Sequence, residues 1–245
     1  MNSSYKISLF GSNAIRIHWE PMISQKLSER IVALNTFLND SLKDMIQETH
    51  FTYHELVVYT NVASSTHKIR DQIERILEEY TFEHDATEKE IYTIPVCYDE
   101  ELAWDLEPLC ELHNISKTEL IEYHTAPLYP IHFIGFLPGF PYLGGLDERI
   151  ATPRKKTPRT KIPAGAVGIA GAQTGIYPIS SPGGWNLIGR TPIPLFDPNA
   201  KTPTLLKPGN YVSFNSISVT EYKKIQKEVE AGTFILKKIY HEFNG

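Results

Sequence analysis

The run HFIGFLPGFPYLGGLDERIATPRKKTPRTKIPAGAVGIAGAQTGIYPISSPGGWNLIGRT, residues 132–191, decides how this chain folds. It holds scarcely a residue of ordinary helix or long strand. Glycine supplies backbone conformations closed to other residues, and proline fixes φ and removes a donor, so their density implies a chain bent repeatedly into specified turns. Between the turns stand Phe136, Phe140, Tyr142, Leu143, Ile169, Tyr177, Trp185, Leu187 and Ile188. They give the turns a core to pack on, which disordered Pro/Gly segments lack. Such a segment is rigid, and rigid loops on a scaffold are where sites are built.

Outward from this stretch the pattern is simpler. Toward the C-terminus come the strand Tyr211–Phe214, a polar helix from Val219 to Glu230 and a last strand between Thr233 and Tyr240. Short apolar runs between Pro/Gly turns predict a β-barrel or sandwich. Toward the N-terminus, two short helical pieces are expected between Asp99 and Thr125. The second opens on Ser116-x-x-Glu119, a capping box. Further back, residues 5–19 alternate around Gly11-Ser12-Asn13 as a hairpin. Ile23, Leu27, Ile31, Leu34 and Leu38 share one helical face; Phe51 to Tyr59 reads as a strand; Ile69, Ile73, Ile76, Leu77 and Tyr80 make a second stripe; and Glu90 to Tyr98 returns to strand. These elements predict an α+β domain over residues 1–92, a ferredoxin-like sandwich with both helices on one face, followed by a mostly-β barrel domain over 93–245.

The totals exclude several classes. A chain of 245 residues with 41% hydrophobic content is globular, and a net charge of −5 gives no support for nucleic-acid binding. No apolar run approaches the ~20 residues of a membrane span, and no secretory leader is visible, so a cytoplasmic protein is expected. Cys97 and Cys110 form no CxxC pair and read as buried thiols.

One local exception to the acidic average is the basic run Arg149, Arg154, Lys155, Lys156, Arg159 and Lys161, faced only by Asp147 and Glu148. Arginine offers a planar fork matched to carboxylate or phosphate, and glutamine reads an amide through both donor and acceptor. The candidate constellation is therefore Arg154, Lys155, Arg159 and Arg190 with Gln173, Thr174, Tyr177 and Trp185, lining one shared concavity. GIAGAQTG, with Gly171 in it, supplies consecutive N–H groups for an anion, and Thr191 closes the IGRT turn. Tyr177 and Trp185 are residue types found more often in cores than in sites. His132 opens a strand-like run as a core histidine or a catalytic one. His113 and His124 read as surface positions. Asp147 and Asp197 sit at turns where a carboxylate holds either the turn itself or Mg²⁺; no metal site is assigned. GxSxG and Walker A motifs are absent.

GFLPGFPYLGGL, then ATPRKKTPRTKIPAGAVGIAGAQTGIYPISSPGGWNLIGRTP and LLKPGNYVSF, strongly resemble the KipI family, also described as allophanate hydrolase subunit 1 or the 5-oxoprolinase B subunit. The resemblance covers essentially the whole second domain. It implies a cyclophilin-like barrel, partners of the C and A subunit types, and ATP-dependent opening of 5-oxoproline to glutamate. ATP with Mg²⁺ is then used by the complex, with none tightly bound to this chain, and the chain alone is inactive. Two other roles are implied by the same resemblance: inhibition of a sensor histidine kinase by direct binding, and a part in a urea carboxylase or allophanate-type complex. A lactam is a poor electrophile whose oxygen becomes a leaving group once phosphorylated. That step needs cations on phosphates and donors aimed at developing charge. Arg159, Gln173, Arg190 and His132 are the expected catalytic residues, with Arg154, Lys155, Gly171, Thr174, Tyr177, Trp185 and Thr191 in substrate or anion binding. The first domain suits either pairing with another copy or docking to the C subunit.

Overall fold

The structure, a computed structural model, describes residues 4–61, 65–79 and 88–241; Tyr80, expected on the second helical stripe, lies outside them. The chain divides into two compact units, Met1–Ala86 and Thr87–Asn244.

In the first unit, β1 (Tyr5–Phe10), β2 (Ala14–Trp19), α1 (Gln25–Ser41), β3 (Ile46–Phe51), β4 (Glu55–Thr60) and α2 (Thr66–Glu79) follow in order. The strands form an antiparallel sheet in the order β1-β2-β4-β3. Ser24 caps α1 by accepting the Leu27 N–H, and Leu27, Ile31, Leu34 and Leu38 are buried at helical spacing. They share one core with Ile69, Ile73 and Leu77 of α2 and with Ile15, Ile17, Leu56 and Val58 of the sheet. Each such side chain contributes roughly 1.5–3 kcal/mol by leaving water. Because the sheet residues in that core alternate along their strands, both helices cover the same face.

The connectivity is ββαββα, whereas a ferredoxin-like sandwich runs βαββαβ. The strand expected to finish this sandwich lies in the other unit. β5 (Lys89–Cys97) pairs in parallel with β13 (Tyr211–Ile217) through seven successive partners. Its second half is buried almost without interruption. A continuous apolar strand fits a position covered on both faces better than a half-solvated one.

The second unit continues with α3 (Leu106–His113), α4 (Lys117–Thr125), β6 (Tyr129–Ile134), β7 (Pro141–Leu143), β8 (Arg159–Ile162), β9 (Ala166–Ala170), β10 (Gln173–Ile176), β11 (Ser181–Gly183) and β12 (Asn186–Arg190), then β13, α5 (Val219–Glu230) and β14 (Lys238–His241). Seven strands close a barrel in the cyclic order β12-β9-β10-β7-β6-β13-β5, the seam being the Arg190–Cys97 pair. This is the architecture expected of a cyclophilin-like domain. β14 extends the sheet along the first half of β5, and β8 with β11 forms a separate two-stranded flap. The capping box at Ser116 and Glu119 is present in full. Among the described residues no helix is long and apolar enough to cross a membrane.

The barrel interior is filled by residues such as Ile94, Val96, Ile131, Leu143, Val167, Ile169, Ile176, Ile188, Val212 and Phe214. A second, smaller core of Phe140, Ile162, Ala166, Ala170, Tyr177, Trp185 and Leu187 is separate from it. On β9 the two sets alternate, Val167 and Ile169 belonging to the first and Ala166 and Ala170 to the second. The smaller core therefore lies on the outside of the barrel wall.

Candidate functional site

The basic run Arg154 to Lys161 enters β8 along this outer core, and two of its cations converge on a carboxylate that sequence reasoning missed. Asp105, 3% exposed, precedes α3. Its oxygens accept Arg159 Nη1 at 2.9 Å, Arg159 Nη2 at 2.7 Å, Lys155 Nζ at 2.8 Å and the Leu187 N–H at 2.7 Å. Burial alone pushes the carboxyl up; the bonds from Arg159, Lys155 and Leu187 outweigh it and hold the group below the usual range. The Arg159 guanidinium also lies 5.6 Å from the ring of Trp104. Asp105 is thus the node joining α3, the basic run and β12. Only its place just before a helix signalled it in sequence.

The outer core is built from rings packed edge to face. Phe140 meets Tyr177 and Trp185, each at 5.4 Å and 83°, and Tyr142 at 5.3 Å. Tyr142 in turn stacks on Phe133 at 4.2 Å. Gly175 makes this packing possible: a Cβ there would meet Phe140 and Trp185 carbons at 3.0 Å. Phe136 meets Phe140 edge to face at 5.7 Å and 88°, and the residue is 66% exposed.

Arg154 completes the patch, its guanidinium carbon 6.0 Å from the Trp185 ring. Among the described residues no acidic side chain pairs with it. Its charge reaches the phenols of Tyr142 and Tyr177, which burial pushes up and Arg154 draws partly back. Phe140, Tyr177 and Trp185 are thus buried in this outer core, with Tyr142 half-buried, and what stands exposed at its margin is Phe136 and the uncompensated cation of Arg154.

The remaining expected residues are distributed elsewhere. Arg190 donates from Nε to the Ala164 carbonyl at 2.8 Å and its charge is felt by Tyr222 of α5. Lys155 and Arg159 are neutralised by Asp105, so the expected cations do not act as one set. Thr174 is buried inside the barrel, donating to the Gly168 carbonyl and bonded to His124. By strand alternation its neighbour Gln173, half-buried, lies on the outward side with Gly175. Thr191 accepts the Ile193 N–H in a turn, and Gly171 is exposed in the β9–β10 turn at φ +63°. His132 is buried, with Gly144 packed against its ring.

His124 corrects the surface expectation. It is fully buried, Nδ1 2.8 Å from the Tyr98 hydroxyl and Nε2 2.9 Å from Thr174 Oγ1, and stacks on Phe214 at 4.5 Å. Burial lowers its pKa to about 3. His113 is half-buried and bonds Thr152 at 2.8 Å. Asp147 accepts the Arg149 N–H and Asp197 the Asn199 N–H, so both serve turns. Among the described residues no group of three or more His, Cys, Asp or Glu side chains is arranged to hold a metal ion.

Residues 5–206 match the carboxyltransferase domain family, subdomains C and D. A protein named as the B subunit of 5-oxoprolinase from Bacillus subtilis (strain 168) is 36% identical over 239 residues, 93% of this chain and 99% of its own. The chain belongs to the 5-oxoprolinase B subunit family. A second member carrying that name, from Escherichia coli O157:H7, is 38% identical over 84% of this chain and 93% of its own. Among solved structures, TTHA0988 superposes with a TM-score of 0.74 at 32% identity, covering 84% of this chain. This chain spans 40% of that one. The Kluyveromyces lactis urea carboxylase superposes with a TM-score of 0.78 over 97% of this chain and 24% of its own. At 19% identity that likeness concerns the fold.

Proposed function

We propose that this chain is the B subunit of a cytoplasmic, ATP-dependent 5-oxoprolinase that opens 5-oxoproline to L-glutamate together with the A and C subunits. The observation that carries the reading is the match to proteins named as 5-oxoprolinase B subunits, along nearly their whole length. The structure supports a binding role for this chain. Four groups with reactive chemistry are locked away: the thiols of Cys97 and Cys110 are buried and pushed up, His124 is sealed neutral and Asp105 is fully bonded. What stands exposed beside the outer core is Arg154 with Phe136.

In the proposed reaction the lactam oxygen takes the γ-phosphoryl group of ATP. Water then adds to the lactam carbon, the ring C–N bond breaks onto a protonated nitrogen to leave an acyl phosphate, and a second water displaces phosphate from it to give the carboxylate. ATP with its Mg²⁺ is used at the level of the complex in this reading, with none tightly bound to this chain, and the chain alone is inactive. The first unit, read as a ferredoxin-like sandwich with its strands reordered, is assigned to docking, either on the C subunit or on another copy.

The test is co-purification with the A and C subunits followed by an assay of ATP-dependent glutamate release. Turnover by the complex and none by the single chain is expected. A complete complex without turnover, or a native pull-down returning a histidine kinase in place of the A and C subunits, overturns the proposal.

A further inference from the structure

We propose that the first unit pairs with a second copy of itself through β1, the two strands meeting antiparallel about Ile7 so that two four-stranded sheets become one continuous sheet. This commits the docking role given above to the first unit to one partner, and it rests on that part of the reading alone.

The first observation is a difference between the two edges of the sheet. Among the described residues β1 pairs only with β2, and β3 only with β4. β3 is blunted: its register shifts between Ile46 and Glu48, and Glu48 and His50 stand exposed on it. Bulges and charges of that kind keep an edge from pairing. β1 instead pairs without a break from Tyr5 to Phe10, with no proline and a single charge, Lys6. Leu9 and Phe10 on it are 38% and 48% exposed. The phase of the ladder shows which of its backbone groups are left over. Trp19 N–H donates to the His54 carbonyl at 2.9 Å and Thr60 N–H to the Asn13 carbonyl at 2.8 Å, so the odd-numbered residues of β2 bond β4 and the even-numbered ones bond β1. The N–H and C=O groups of Tyr5, Ile7 and Leu9 therefore point away from the sheet.

The second observation is that β1 and α2 complement their own copies. With Ile7 on the two-fold axis, Tyr5 faces Leu9 of the second copy and Leu9 faces Tyr5, so each outward N–H meets a carbonyl. Lys6 then lies opposite Ser8 and not opposite another lysine. Tyr5 and Ile7 pack on the helix side of the sheet, where the pairing brings Ile7 against Ile7 and Leu9 against Tyr5. α2 packs on β1 and β2 and runs antiparallel to β1. Thr66 Oγ1, at its start, donates to the Ser12 carbonyl at 3.2 Å, and near its end Glu78 and Glu74 add to burial in pushing the Tyr5 phenol up. Across the axis the two helices lie two strand spacings apart, about 10 Å, which is a helix-packing distance. They are antiparallel, so His67 and Arg70 of one stand beside Glu78 and Glu74 of the other, on the stripe that faces the edge; Arg70 also engages Asp71 in its own chain. A stripe that changes sign along its length matches a second copy turned end for end.

The test measures the mass of the full chain by sedimentation at tens of micromolar protein, where a dimer of 27.8 kDa chains is expected. Ile7→Pro removes an N–H that the chain's own sheet does not use, a position at which proline is tolerated. The thermal midpoint should therefore stay near that of the parent while dimerisation weakens about tenfold or more. Leu9→Lys, at an exposed position, should weaken it likewise with the backbone untouched. Glu74→Lys with Glu78→Lys, and separately His67→Glu with Arg70→Glu, should each weaken self-association, and an equal mixture of the two variants should recover it. A monomeric parent, a dimer indifferent to Ile7→Pro and Leu9→Lys, or a mixture no tighter than its components overturns the pairing. A monomeric parent whose β1 variants lose the C subunit gives this edge to that subunit and overturns it too. Each of these results leaves the 5-oxoprolinase reading standing, since glutamate release by the complete complex decides that.

Discussion

The Arg159 guanidinium grips the Asp105 carboxylate with both terminal nitrogens, Nη2 on Oδ1 at 2.7 Å and Nη1 on Oδ2 at 2.9 Å. Lys155 and the Leu187 N–H complete the set. Removing the charge from a buried, fully bonded carboxylate leaves two cations without their counter-ion and turns one acceptor into a donor facing donors. Both cations keep some access to water, which moderates the loss. Asp105→Asn should cost about 2–4 kcal/mol in urea unfolding at pH 7. The folded carboxyl titrates below its unfolded value, so its contribution is fully present above about pH 4 and is lost as pH falls through the folded value. The gap between Asp105→Asn and the unaltered protein should therefore narrow below about pH 4. A variant as stable as the parent at pH 7 would show that the cluster adds nothing.

His124 gives a second pH dependence, at higher pH. Its imidazole titrates at about 3 when folded and near 6.5 when unfolded. Between those values the unfolded chain binds more protons, so stability falls as pH drops, by up to about 1.4 kcal/mol per pH unit. His124→Gln should cost about 1–3 kcal/mol at pH 7 through the bonds to Tyr98 and Thr174. It should also flatten the slope between pH 6.5 and 4.5. Urea midpoints taken across that range decide it; an unaltered slope would place the proton uptake on another group.

Local signals in the sequence transmitted well, and long-range pairings did not. The hairpin about Gly11-Ser12-Asn13, the α1 stripe and the Ser116–Glu119 box are each written within a dozen residues or so, and each is present. β5 was legible as a strand, but its parallel partner β13 lies 120 residues on, and nothing in EIYTIPVCY says which sheet receives it. β3 was missed because IQETHF carries few apolar residues. Asp105 was missed because its cations stand 50 and 54 residues downstream. The basic run looked like one anion site because sequence shows the charges and hides the buried carboxylate that neutralises two of them. His124 looked solvated because its helix, α4, is mostly polar and only the fold carries that one turn to the barrel interior.

The rings of the outer core depend on the space that Gly175 leaves. Alanine there would place its methyl 3.0 Å from Phe140 and Trp185 carbons and 3.1 Å from the Pro141 carbonyl oxygen. Rings can yield by a few tenths of an ångström, whereas the carbonyl belongs to β7 and yields less. Gly175→Ala should thus cost about 1–3 kcal/mol by overpacking and tilt Trp185, visible as a change in near-ultraviolet circular dichroism. A stable variant with an unchanged spectrum would show that the patch has slack.

Gly144 and His132 make a final pair, and they bear on whether His132 is a structural residue. A Cβ at position 144 would run into the His132 imidazole, at Nε2 first and then Cδ2 at 3.0 Å. His132 is buried, so its ring has little room to retreat. Gly144→Ala alone should therefore destabilise by about 3 kcal/mol or more, at the upper end of overpacking effects. His132→Ala alone should cost about 2–4 kcal/mol through the cavity it opens and the bonds it loses. The double variant fills part of that cavity with the new methyl, so its loss should be smaller than the sum of the two by at least about 1 kcal/mol, the sign of residues in direct contact. Strict additivity in urea unfolding would show that the two do not touch. If the double variant regains stability and assembles with the A and C subunits at normal turnover, His132 serves packing; if stability returns and turnover does not, the imidazole has a role in the reaction beyond packing.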